Sequence, residues 1–146
     1  MLLRFTSLSF CLLLCLTDIR AGAQCGPNME KQIGDVRDSW VKNWNDGQLG
    51  KVVNLYYKYA DLLGAEGTRA HGSDEIRAAL LKKMGSKVEV HTLAFACSDA
   101  FAYENGTYTQ TENGQSIDGN YLVVLVWKES KWQIVQHAST ASGRLK

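Results

Sequence analysis

Beyond its N-terminal two dozen residues the sequence has no apolar run approaching the roughly 20 residues needed to cross a bilayer. The longest is Tyr121 to Trp127. It has no surplus of charge either, with 16 basic against 15 acidic side chains. That balance leaves no electrostatic footprint for nucleic acid or an anionic membrane, and neither is expected as a partner. Lys82-Lys83 is the one basic pair and reads as a solvated helix end favoured by the helix dipole. The histidines, His71, His91 and His137, stand apart, with no His-x-His and no His-Glu-x-x-His. No metal site is therefore expected. A Gly-x-Ser-x-Gly elbow, a phosphate-binding glycine loop and a dinucleotide fingerprint are all missing, which sets aside covalent hydrolases, nucleotide chemistry and a cofactor.

What is present begins with "MLLRFTSLSFCLLLCLTDIRAGAQ", which has a basic start at Arg4, an apolar stretch from Leu8 to Leu16 and a small-residue ending at Ala21-Gly22-Ala23. Residues 1–23 read as a cleaved signal peptide, so the remainder is expected to be secreted; an uncleaved anchor is the alternative. Cleavage would remove Arg4, Arg20 and Asp18 and leave the two signs of charge equal. Residues 24–146 are of a size for one domain around one core. Cys11 and Cys15 leave with the signal, and Cys25 and Cys97 remain as an even pair in an oxidising compartment. A bond between them would close a loop of about 70 residues and contribute roughly 4 kcal/mol in the chain-entropy model. Two separate thiols are the alternative.

Ile33, Val36, Trp40 and Trp44 recur at helical spacing from about residue 29 to 44, with Lys31, Asp35, Arg37, Asp38 and Lys42 filling the other side. Asp46 is placed to cap a second helix whose apolar stripe would be Leu49, Val52, Val53, Tyr56, Tyr57 and Ala60. Ser73 is placed to cap a third, with Ile76, Leu80 and Met84 facing inward and Gly85 stopping it. From Lys87 the character changes to strands: "KVEVHTLAFAC", "AFAYENGTYTQT", "IDGNYLVVLVW" and "KWQIVQHAST", separated by turn residues. Three helices followed by a four-strand meander argue an α+β fold.

The segments "WVKNWNDGQLGKVVNLYYKYADLLGAEG", "HGSDEIRAAL" and "FAYENGTYTQTENGQSIDGNYLVVLVWKESKWQIVQHA" together resemble the SnoaL-like, DUF4440-type branch of the NTF2-like superfamily. The resemblance runs from about Lys31 to Ser139 and rests on the order of Asp46, Leu55-Tyr56, Gly72, "Ala-Tyr-Glu-x-Gly-x-Tyr" and a closing Gly-x-Tyr with Trp-x-Ile. It implies a cone in which three N-terminal helices pack on a curved, mainly antiparallel sheet around an apolar pocket, with dimers formed through the sheet's outer face. It carries little information on activity, because such folds host isomerases, cyclases, epoxide hydrolases and non-enzymatic binders.

The closing hairpin raises its own question, because Tyr121 to Trp127 is apolar at every position where a half-wet strand would alternate. With "KESK" as the loop, Trp127 would face Trp132, Leu125 would face Ile134, Val123 would face Gln136 and Tyr121 would face Ala138. Leu122, Val124, Val126, Gln133, Val135 and His137 would fill the other face. Helices can cover one face, and a second copy of the sheet is the simplest cover for the other, so a homodimer is expected. Strand curl, or the N-terminal tail lying across the sheet, are the alternatives.

Acid-base work in an apolar cavity is the chemistry that survives, with His137 on the last strand and Asp61 at the end of the second helix as candidates. In the family that Asp falls at the position of Ala60, one place earlier. Trp40, Tyr56, Tyr57, Tyr103 and Tyr121 are candidate pocket-lining residues within a largely aromatic core. Asn105-Gly106-Thr107 is an N-glycosylation sequon, unless burial in a strand keeps it from the transferase. Two functions remain open: a secreted binder of a small apolar ligand, and an isomerase or lyase of the ketosteroid-isomerase type. A third reading is an interaction module whose pocket is filled by its own side chains.

Overall fold

The computed structural model describes residues 25–144, so residues 1–23, expected from the sequence to be a signal peptide, lie outside the described residues. Helix α1 (Pro27–Asn45) starts with proline in its first turn, where no intrahelical N–H is needed. Helix α2 (Leu49–Val53) is a single turn. Strand β1 (Tyr56–Leu63), a 3₁₀ turn (Ala65–Gly67), strand β2 (Arg69–His71) and helix α3 (Gly72–Leu81) follow. Four long strands then meander: β3 (Lys87–Cys97), β4 (Phe101–Glu112), β5 (Gln115–Lys128) and β6 (Lys131–Arg144). The sheet order is β2-β1-β6-β5-β4-β3, with β1 parallel to β6 and every other pair antiparallel. Among the described residues no helix is long and apolar enough to cross a membrane.

The α+β class stands, but its layout differs from a run of helices ahead of a sheet. The expected second helix ends at Val53, and Tyr56, Tyr57 and Ala60 belong to a strand instead. Period decides it: Tyr56, Ala60 and Leu62 are buried, and Leu62 fits alternation but not a helical stripe. Asp46 ends α1, with its carboxylate on Lys42, and Gln48 occupies the position before α2. Likewise α3 begins before Ser73. His71 holds its N-cap position, and the Glu75 carboxylate accepts the His71 backbone N–H at 2.9 Å.

Two glycines shape the inner face of the sheet. Gly106 faces Tyr121 across β4 and β5, and Gly119 faces Tyr108 across the same pair. A Cβ on Gly106 would sit 2.1 Å from the His91 carbonyl oxygen and 2.8 Å from the Tyr121 ring. On Gly119 it would meet the Tyr108 ring at 2.5 Å. Each glycine thus clears room for a tyrosine ring to lie against the backbone. Opposite Gly106 the β3–β4 register shifts between Thr92 and Ala94, a bulge of the kind that bends a sheet.

Helix α1 crosses the sheet, with Ile33 and Trp44 in the core. The Trp132 indole donates to Gln32 and the Trp44 indole to the Ser86 carbonyl, tying α1 to β6 and to the start of β3. Cys25 and Cys97 form a disulfide, with Cα atoms 5.4 Å apart, that joins the start of α1 to the end of β3.

Candidate functional site

The β5–β6 hairpin turns at Glu129 and Ser130, both at positive φ, so the loop has two residues flanked by Lys128 and Lys131. Trp127 faces Trp132 and Leu125 faces Ile134, as the sequence predicts. Beyond that point the register departs from expectation. Val124 faces Gln136 while Leu125 faces Ile134, so Val135 is an extra, bulged residue, and Val123 faces His137 and Tyr121 faces Ser139. A one-residue bulge exchanges the two faces of everything after it. Gln136 is therefore turned out to solvent. His137, which plain alternation sets on the face opposite Trp132 and Ile134, shares the cavity wall with Ile134 and Ser139.

There it meets a cavity of about 510 Å³ enclosed by α1, α3 and the inner face of the sheet. The walls are largely apolar, including Ile33, Val36, Trp40, Val90, Val123 and Leu125, and the charged side chains of Glu66, Arg69, Lys82 and Lys83 stand at its margin. Two polar clusters belong to these walls.

The first is a chain of neutral donors. The Trp40 indole N–H donates to the Tyr56 hydroxyl oxygen at 3.0 Å, and that hydroxyl lies 2.7 Å from Nδ1 of His137. An indole only donates, so the Tyr56 O–H is directed to Nδ1, and the remaining imidazole proton falls on Nε2. Burial lowers the His137 pKa to about 4, so the ring is neutral at ordinary pH, and burial likewise raises that of Tyr56. Trp40 packs edge-on to the imidazole at 5.7 Å between ring centroids. In that tautomer the imidazole keeps one N–H to donate, and His137 is among the residues that line the cavity.

The second is ionic. Glu104, 2 % exposed, accepts the Tyr121 O–H at 2.7 Å and the Thr92 O–H at 3.2 Å, and pairs with the Arg37 guanidinium at 3.2 Å. Burial opposes the charge of Arg37, but the hydrogen bond to Asp38 and the field of Glu104 outweigh it and raise its pKa. Burial foremost raises the pKa of Tyr121, keeping the hydroxyl a donor. Sequence reasoning missed both charged partners and placed Arg37 on the outer side of α1. The signal was there: Ile33, Arg37, Trp40 and Trp44 follow i, i+4, i+7, i+11, and Glu104 alternates with buried Ala102 and Gly106.

The other candidates fall elsewhere. Asp61 is on β1, exposed, and 2.9 Å from the His71 imidazole, so it does not reach the cavity. Tyr56 stands behind His137, Tyr57 borders a separate recess, and Tyr103 is exposed on the outer face of the sheet. Asn105 also lies on that outer face, between Ala94 and Leu122. Among the described residues no three His, Cys, Asp or Glu side chains converge as a metal site would require.

No protein-family model and no curated protein matches the sequence. Solved structures do. An NTF-2 like protein of unknown function from Shewanella oneidensis superposes with a TM-score of 0.68 at 18% identity, covering 76% of this chain and 98% of that one. An NTF2-like protein from Pseudomonas putida gives 0.72 at 14%, covering 79% and 87%. The chain has the NTF2-like fold. A ketosteroid isomerase-like protein from Erwinia carotovora shares it too, with a TM-score of 0.68 at 16% identity and 77% and 95% coverage. At such identities the likeness speaks for the fold alone, so the chemistry of this NTF2-like chain rests on its own two clusters.

Proposed function

We propose that this is a secreted protein of the SnoaL-like branch whose conical pocket binds a small, mostly apolar molecule bearing a hydrogen-bond acceptor such as a carbonyl. The observation that carries this is His137, held by Tyr56 and Trp40 on the wall of a largely apolar cavity of about 510 Å³, where a neutral imidazole can donate. Native mass spectrometry of protein purified from its own source tests it. A retained ligand that is lost in His137→Phe supports the reading, and an empty cavity that takes up no carbonyl-bearing apolar probe overturns it.

A second reading is an isomerase or lyase, favoured by Glu104, a carboxylate facing the same cavity. A neutral imidazole would polarise a carbonyl while a carboxylate moved a proton; one neighbour in fold is named ketosteroid isomerase-like. Glu104→Gln and His137→Gln should each abolish turnover of the retained ligand, while Asp61→Asn leaves it intact. Unchanged rates in the first two remove this reading. We further propose that the outer face of the sheet, where Leu122, Tyr103 and Phe101 are exposed, pairs with a second copy. Sedimentation at micromolar concentration would then give a dimer that Leu122→Asp converts to a monomer.

A further inference from the structure

The register of the sheet sets out the large cavity as a series of rows that run from a buried end to an exposed one. Along β5, Leu125, Val123, Tyr121 and Ile117 all line it, a span of eight residues, or about 25 Å in a twisted strand. A volume of about 510 Å³ drawn out over that length leaves a mean cross-section of roughly 20 Å². A single extended chain fits such a space, and a broad ring system does not. At one end of the path Leu125, Ile134 and Ile33 are buried, and at the other Ala141 is exposed. The turn that carries Glu66 lies over this outer part, because the Ala65 N–H donates to the Ser139 hydroxyl at 3.2 Å and Glu66 pairs with Lys83 of the opposite wall at 3.3 Å. The exposed end is therefore the charged one.

Polar groups are not spread evenly along this path. Glu104 pairs with Val123 and Val123 with His137, so carboxylate and imidazole stand in one row across β4, β5 and β6, next to the buried end. Tyr121 and Ser139 follow in the next row. Outward of these, Val88, Val90, Ile117, Ala141 and the ring of Tyr108 take over the lining, and the Gln110 amide there is held by the Ser86 hydroxyl at 2.8 Å. Charge at the inner row has a sign as well. Arg37 is shared between Asp38 at 2.9 Å and Glu104 at 3.2 Å, so two carboxylates meet one guanidinium, and a further anion brought beside them is repelled. Resting on the pocket reading above, we infer that the ligand is a chain molecule of medium length that enters neutral end first. Its carbonyl stops at the row of His137 and Glu104, and its apolar tail runs outward to the charged margin. From His137 to Ala141 is four residues of β6, about 13 Å, the reach of roughly ten methylenes. Methylenes short of the margin are buried and later ones return to water, so the fold itself measures the chain. Carboxylate-ended chains of the same length are turned away by the charge at the inner row.

Titration of the purified protein with straight-chain methyl ketones of about six to fifteen carbons, followed by tryptophan fluorescence because Trp40 is on the cavity wall, tests this. Affinity is expected to rise about three- to fourfold with each methylene, as for hydrocarbon leaving water, and to level off near about twelve carbons. Decanoate at neutral pH should bind at least tenfold more weakly than the methyl ketone of equal length. Ala141→Trp, at an exposed position on the outer rows, should bring the plateau to a chain several carbons shorter. Ketones that bind with an affinity flat along the series, a plateau unmoved by Ala141→Trp, or decanoate as tight as its ketone overturns this inference and leaves the pocket reading standing. Failure of every ketone to bind removes both.

Discussion

The two polar clusters on the cavity wall solve the problem of burying polarity in opposite ways. Around His137 every member is neutral, and each hydrogen bond hands a proton one way, from Trp40 to Tyr56 to the imidazole. Around Glu104 a full charge is enclosed, tolerable only because Arg37, Tyr121 and Thr92 surround it. The neutral chain fixes a direction, and the ionic cluster fixes a partnership. One should respond to pH and the other to the loss of a partner.

The largest effect is expected from breaking that partnership. Arg37→Ala leaves Glu104 buried and uncompensated and should cost about 3–4 kcal/mol, read from the urea midpoint. Adding Glu104→Gln should recover much of the loss, so a double variant as unstable as the sum of the singles would refute the pairing. Acidification tests the neutral cluster next. Because burial lowers the His137 pKa from 6.5 to about 4, the unfolded chain binds the extra proton between those values. Stability conferred by the neutral ring is complete above pH 6.5 and is lost as pH falls toward 4, on the order of 3 kcal/mol in all. His137→Phe should flatten that limb of the profile, and an unchanged slope would show that the imidazole is already wet. Smallest is Tyr56→Phe, which removes one hydrogen bond and should cost about 1 kcal/mol in the same urea assay. It also frees the imidazole tautomer, so the retained ligand should bind more weakly with no change in cavity size.

Much of the fold could be read from the chain because its signals are local. Alternation and turn residues marked the four long strands, and the pair Trp127 and Trp132 fixed the start of the last hairpin. Strand β1 escaped because Tyr56 and Ala60 satisfy a helical and an extended period alike, and its partner β6 lies more than 70 residues away. The site was less legible for the same reason. His137 was named from chemistry, yet strict alternation set it on the face opposite Ile134; nothing local announces the bulge at Val135 that brings the two to one face. Glu104 and Arg37 sat in plain core positions, but charged side chains there read as surface until their partner is known.

The sequon has a consequence for assembly. Asn105 stands on the outer face, one strand in from the β3 edge, with Ala94 and Leu122 as its cross-strand neighbours. A branched sugar planted there would be far bulkier than the thin gap between two packed sheets. For the proposed outer-face dimer, a glycan at Asn105 would hold two copies apart, whereas the bare asparagine would leave that face free to pair.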